Sequence, residues 1–244
     1  MNPQAFHDAC EFVAGQDPVK AGIGTLSEKT LHAVLKHYFA SSTDEHEIKI
    51  GRYVADIVGE NGIIEIQTQG FDKLRNKLTE FLDCARVTVV YPIAQTKWLC
   101  WIDRETGHVT QKRKSPKTGT AFDAVFELYK IKQMLKHPNL TICLVLLELE
   151  EYRYLDGWSK DKKKGSSRCE RMPVKLVDEI YLHSTKDYSG LIPKSLPMPF
   201  TTKDFAKAAK IRLRAAQVSL NILYDMGVVE RVGKQGNAYL YEYI

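Results

Sequence analysis

Two β-branched runs, residues 46–58 and 63–69, flank the turn cluster Gly59-Glu60-Asn61-Gly62. Such a turn between such runs predicts a hairpin, with Asp56 near the end of one strand and Glu65 early in the next. Strand side chains alternate between faces, so Glu65, Gln67 and Gln69 are expected on one face and Ile64, Ile66 and Thr68 on the other. Before the hairpin, Leu31, Val34, Leu35 and Tyr38 recur at helical spacing, which predicts a helix from Leu26. Thr25-Leu26-Ser27-Glu28 opens it as a capping box. After the hairpin, residues 71–84 read as a helix with Phe71, Leu74, Leu78, Phe81 and Leu82 on one face, and residues 86–93 as a buried strand. Residues 1–24 are weakly patterned.

Further along, residues 97–102 read as a strand leading into a basic loop that carries Arg104, Lys112, Arg113, Lys114 and Lys117. Phe122, Val125, Phe126 and Tyr129 mark a helix that ends near His137-Pro138-Asn139. Residues 140–149 form a strand hydrophobic on both faces, after which Glu148, Glu150 and Glu151 read as strand-end surface acids. Residues 154–175, with Lys162, Lys163, Lys164, Arg168 and Arg171, read as a mobile basic loop, and Pro193, Pro197 and Pro199 mark a linker. Beyond it, Thr202 is placed to cap a helix over residues 203–210. A second helix carries Leu213, Ala216, Leu220 and Leu223 and stops by Gly227, and residues 228–232 and 238–243 form a closing hairpin.

Composition adds bounds rather than chemistry. The 244 residues are 44% hydrophobic and 27% charged, as in ordinary globular proteins, and the net charge of +5 is small enough that only its clustering bears on partners. Cys10, Cys84, Cys100, Cys143 and Cys169 are odd in number and scattered, which indicates neither a disulfide framework nor a zinc site and suits a reducing cytoplasm. The first residues do not resemble a signal peptide, and the longest apolar run, residues 142–147, is too short to span a bilayer.

Asp56 followed by Glu65-Ile66-Gln67, set within the order helix, three strands, helix, strand, resembles the PD-(D/E)xK (restriction-endonuclease-like) nuclease superfamily, with glutamine where lysine is commoner. The resemblance implies an α/β core, a mixed sheet flanked by helices, in which Mg²⁺ (or Mn²⁺) is held by Asp56, Glu65 and the backbone carbonyl of Ile66. Hard oxygen ligands suit that ion, which neutralises the scissile phosphate and generates hydroxide from bound water. It also makes Gln67 a catalytic candidate and gives Glu28 two readings, helix cap or first-helix acid of the metal site. Glu47 shares that ambiguity.

The last fifth of the chain resembles the winged-helix family, a small C-terminal winged helix-turn-helix domain. That resemblance implies groove contacts from Arg212, Arg214, Gln217 and Asn221 and a phosphate contact from Lys234. Arg113, Lys114, Lys117, Lys162, Lys163 and Lys164 are candidates for holding a phosphate backbone.

The expected organisation is a nuclease-like domain over residues 1–172, a linker over 173–199 and a winged-helix domain over 200–244. The expected function is metal-dependent DNA endonuclease activity, with DNA as partner, no small-molecule cofactor and no membrane attachment; a homodimer is left open. Two rivals stand beside it: a non-catalytic DNA-binding protein that retains the fold, and a transcription regulator in which the winged helix dominates.

Overall fold

The computed structural model describes residues 1–15, 29–156 and 166–244. A seven-stranded mixed sheet is the frame on which everything else is placed. Its first three strands are β1 (His46–Ile50), β2 (Tyr53–Gly59) and β3 (Gly62–Ile66). The run over residues 46–58 is therefore itself a hairpin, because Gly51 takes a positive φ of 57° and reverses the chain. The strand β4 (Val87–Ile102) joins into one element the two strands expected from sequence. The two-residue β5 (Arg113–Lys114) adds to it, so part of the expected basic loop belongs to the sheet.

Two long strands complete the sheet, β6 (Leu140–Tyr154) and β7 (Ser167–Leu182). Strand order is β1-β2-β3-β4-β6-β7, with β3, β4 and β6 parallel and the other pairs antiparallel. The expectation of a loop over residues 154–175 fails on both sides: Tyr154 ends β6 and residues 167–175 open β7, because Cys169 and Leu176 bury apolar surface while the charges between them sit on the pleat. The sheet thus continues past residue 172 to Leu182.

Helices cover both faces. On one lie α1 (Pro3–Gly15) and α2 (Lys29–Phe39), whose Phe6, Leu31, Val34 and Leu35 pack on Ile57, Ile66, Val90, Cys143 and Val145. The weakly patterned start of the chain is therefore partly helical. On the other face lie α3 (Phe71–Leu82) and α4 (Val125–Lys130), with Leu74, Leu78, Phe81 and Leu128 against Val87, Val89, Ile142 and Leu144. The alternation of Val89 with Val90 and of Ile142 with Cys143 is the period of two that sends successive residues to opposite layers. The α4 helix is shorter than the sequence spacing suggests, flanked by 3₁₀ turns at 121–124 and 132–134.

After a short α5 (Thr185–Ser189) come α6 (Thr202–Ala208) and α7 (Leu213–Asp225), then the hairpin β8 (Val229–Gln235) and β9 (Ala238–Tyr243). Thr201, not Thr202, caps α6: its hydroxyl accepts the N–H of Asp204 while the Asp204 carboxylate accepts the N–H of Thr201. These elements are packed against the central layer. Phe205 meets Phe122 edge-on with centroids 5.8 Å apart, and Lys132 bridges to Asp225 at 2.7 Å. One apolar cluster runs from α3 through α4 into α6 and α7. Among the described residues no helix is long and apolar enough to cross a membrane.

Candidate active site

The β2–β3 ladder ends at Ile57↔Ile64, while the ladder of β3 with β4 continues to Ile66↔Val90. A fork opens between β2 and β3 where Asp56 and Glu65 stand, and the two carboxylates fill it. The Ile66 N–H donates to Asp56 Oδ2 at 2.8 Å, and the Asp56 N–H donates to Glu65 Oε1 at 3.2 Å. Side chains thus take over backbone groups that the interrupted ladder would otherwise leave unsatisfied. Asp56 is part-buried; Glu65 is only 2% exposed.

Two side chains not singled out from the sequence complete the cluster. His32 of α2 places Nε2 3.3 Å from Asp56 Oδ2, and Lys77 of α3 donates to Glu65 Oε2 at 2.5 Å. Helical spacing carried a signal for Lys77: it lies three residues after Leu74 and four before Phe81, on the edge of the buried face. Its ammonium also sits 5.5 Å from the centre of the Phe81 ring.

The environment drives the two acids apart. Burial pushes Glu65 up to about 7, the Asp56 charge adds to the rise, and the bond from Lys77 offsets it only in part. Burial would raise Asp56 as well, but the His32 contact, the Ile66 N–H and the charges of His32 and Lys77 outweigh it and hold Asp56 below its ordinary value. At neutral pH the pair therefore carries a firmly ionised acid beside one that exchanges its proton, an arrangement characteristic of functional carboxylate pairs.

Gln67 does not share a strand face with Glu65 and Gln69, because β3 ends at Ile66 and the chain turns at Gly70, whose φ is 77°. Its amide instead donates to the Gln69 carbonyl at 2.5 Å. With His32, Ile66, Thr68, Lys73 and Lys130 it lines an open cleft of about 620 Å³ beside the carboxylates. Glu127 also reaches this cleft, but its carboxylate accepts the N–H of Phe71 at 2.8 Å and thereby caps α3.

Could these residues hold a divalent ion? Among the described residues no group of three or more His, Cys, Asp and Glu side chains could do so. The fit turns on two carboxylates and one backbone group. A strand residue directs its N–H and C=O to the same edge, so the Ile66 carbonyl points toward β2, where its N–H meets Asp56. Two carboxylates and a carbonyl at one fork are the hard oxygen donors that Mg²⁺ and Mn²⁺ take. Glu28 lies outside the described residues. Glu47 is engaged elsewhere, accepting from Lys36 at 2.9 Å.

The expected nucleic-acid contacts are scattered over several elements. Arg113 and Lys114 are exposed on β5, with Lys114 5.9 Å from the Trp98 ring. Lys117 pairs with Asp123 at 2.8 Å. Arg212 and Arg214 line a cleft between α7 and the Phe122–Phe126 segment. Gln217 and Lys234 are exposed, Lys234 lying 5.1 Å from the Tyr239 ring. Asn221 does not face outward for groove contact: it accepts from Lys132 at 2.8 Å and ties α7 to the core. Lys162, Lys163 and Lys164 lie outside the described residues. Glu151, expected on the surface, is buried at 1% exposure on β6, between β4 and β7.

Architecture and site together define an α/β protein with a carboxylate fork at the end of β3, where the antiparallel and parallel parts of its sheet meet. Residues 29–183 match a family described as a domain of unknown function, DUF8091, and the chain belongs to that family. The matched span runs from α2 through β7 and so contains His32, Asp56, Glu65, Lys77 and Glu151. A protein of Treponema pallidum (strain Nichols), described as uncharacterized, is 29% identical over 221 residues, which are 90% of this chain and 86% of the relative. No solved structure matches the chain.

Proposed function

We propose that the protein is a metal-dependent DNA endonuclease of the PD-(D/E)xK type, with residues 200–244 acting as a winged-helix unit on the same substrate. The observation that carries this reading is the fork itself: Asp56 and Glu65 stand on adjoining strands, the Asp56 N–H donating to Glu65 Oε1 at 3.2 Å and the Ile66 N–H to Asp56 Oδ2 at 2.8 Å. Asp56, Glu65 and the Ile66 carbonyl would hold the ion. When bound, Mg²⁺ or Mn²⁺ supplies charge neutralisation at the phosphate and a water acidic enough to attack.

The chain's own residues do the rest. Lys77 brings to Glu65 the cation that the commoner motif would bring from the Gln67 position, and so compensates for the glutamine. Gln67 lines the cleft with an amide that can donate to and accept from a water or a phosphate oxygen. Asp56, held ionised, keeps negative charge at the fork, while Glu65 can take or release a proton near neutral pH. One observation favours a non-catalytic DNA-binding protein instead: the Lys77 ammonium already neutralises Glu65.

Cleavage separates the two readings. The purified protein incubated with duplex, branched and single-stranded DNA in Mg²⁺ or Mn²⁺ should yield products that the Asp56→Ala, Glu65→Ala double variant does not. Binding to every substrate without cleavage would establish the non-catalytic reading.

A further inference from the structure

The buried Glu151 on β6 gathers an excess of positive charge. Arg153 donates Nε to its Oε1 at 2.7 Å, while Lys97, Arg171 and Arg168 stand 3.4, 3.7 and 3.9 Å from Oε2. Strand register makes this arrangement. Glu151 pairs with Leu99 on one side and Arg171 on the other, which puts Lys97 on the diagonal, and Arg153 pairs directly with Arg168. Two arginines facing each other across a ladder repel, and Glu151 holds four cations together. Burial also holds Lys97 below its ordinary value despite the nearby Glu151.

The cluster opens onto a small cleft of about 260 Å³ with Lys97, Lys117, Arg171, Glu151 and Asp123 in its walls, Lys117 being paired to Asp123 at 2.8 Å, and an apolar floor that includes Pro92 and Leu149. Lys117 is brought to its rim because Gly119 packs on β4 so closely that a Cβ there would lie 2.3 Å from the Ala94 oxygen. Thr68 lines both this cleft and the one beside Gln67, so the two are neighbours.

We propose that the Lys97–Lys117–Arg171 cleft binds one phosphate group of the nucleic-acid strand whose adjacent phosphodiester lies at the Asp56–Glu65 fork. The assignment of that phosphate to a nucleic acid rests on the function proposed above. Glu151, with Asp123 at Lys117, keeps the cations assembled in the free protein, and the incoming phosphate adds negative charge to a cleft whose three cations outnumber its two carboxylates. Both a terminal phosphate and an internal phosphodiester have the required oxyanion chemistry.

The test uses the full chain in EDTA, so that no turnover occurs. Thermal unfolding is followed with inorganic phosphate against chloride at equal ionic strength, and fluorescence anisotropy follows 5′-phosphorylated and 5′-hydroxyl oligonucleotides at several salt concentrations. Phosphate should raise the wild-type melting temperature beyond the chloride control, and Arg171→Gln should abolish that gain. Arg171→Gln should also flatten the slope of log affinity against log salt by about 0.7 to 0.9, the change expected when one phosphate is no longer neutralised. A preference for the 5′-phosphorylated oligonucleotide that vanishes in Arg171→Gln identifies a terminal phosphate; an equal loss for both oligonucleotides identifies an internal one.

Glu151→Gln provides the opposite perturbation: with the competing carboxylate gone, phosphate should stabilise this variant more than it stabilises the wild type. A purely structural ion network would give no phosphate-specific gain in either protein and an unchanged salt slope in Arg171→Gln, and that result overturns the proposal. The two readings fail separately. Phosphate binding without any cleavage sinks the nuclease alone, and cleavage with no phosphate-specific effect sinks this subsite alone.

Discussion

Replacing Glu65 by glutamine should make the protein more stable at alkaline pH and leave it nearly unchanged at acidic pH. Its carboxyl titrates at about 7 in the folded protein, against an ordinary value of 4.5. At about 1.36 kcal/mol for each pH unit of that difference, ionising Glu65 costs the folded state up to about 3 kcal/mol relative to the unfolded chain. Because the folded value is raised, the stability contributed by protonated Glu65 is fully present below about pH 4.5 and is lost as pH rises through 7.

Glutamine keeps an oxygen for the Asp56 N–H and carries no charge, so the penalty disappears. Lys77 loses its partner but, with 19% of its side chain exposed, can turn its ammonium to water. Urea unfolding of both proteins in EDTA from about pH 4 to about pH 8.5 would give the difference directly, since contributions from groups not coupled to Glu65 cancel. The difference should grow from near zero to between about 1 and 3 kcal/mol. A constant difference across that range would refute the assignment of a buried, repelled carboxylate at Glu65.

Three further outcomes follow from the same geometry. Gln67→Lys should retain cleavage and Gln67→Leu should lose it, as read by initial rates; an unchanged rate in Gln67→Leu would leave Gln67 a scaffold residue. Replacing Arg212, Arg214 and Lys234 together by glutamine should weaken DNA binding and flatten the salt slope by up to about 0.9 for each phosphate no longer neutralised, whereas an unchanged slope would assign the C-terminal unit to another partner. Charge substitution is the cleaner perturbation here, because truncation before Phe200 would uncover the apolar surface that Phe205 covers at Phe122. Phe205→Ala, at a fully buried ring, should cost about 3 to 5 kcal/mol in denaturant unfolding.

The central elements were legible because their periodicity is local. Alternation around Gly59–Gly62 located the β2–β3 hairpin, and the spacing of Phe71, Leu74, Leu78 and Phe81 located α3. Asp56 and Glu65 could be placed together because a tight turn fixes register over a few residues. The α1 helix buries only Phe6 and Ala9, too few to make a pattern, although its start was written in Asn2-Pro3: the Asn2 side chain accepts the N–H of Ala5. The fork was hidden, since nothing local says that a ladder will stop at Ile57↔Ile64. The cations around Glu151 were hidden for a related reason: Lys97, Arg153 and Arg171 belong to three strands, and their meeting is a property of pairing across the sheet. Charged residues on such long strands resemble loop sequence until their partners are known.

Binding of a divalent ion at the fork is the property on which the nuclease reading most directly depends. Electron paramagnetic resonance of Mn²⁺ titrated with the protein at about pH 8, where Glu65 is ionised, measures the free ion. Wild-type protein should deplete the free signal, and both Asp56→Asn and Glu65→Gln should restore most of it. Equal depletion by the wild type and the two variants would place the ion elsewhere, and no depletion by the wild type would contradict a metal site at Asp56 and Glu65.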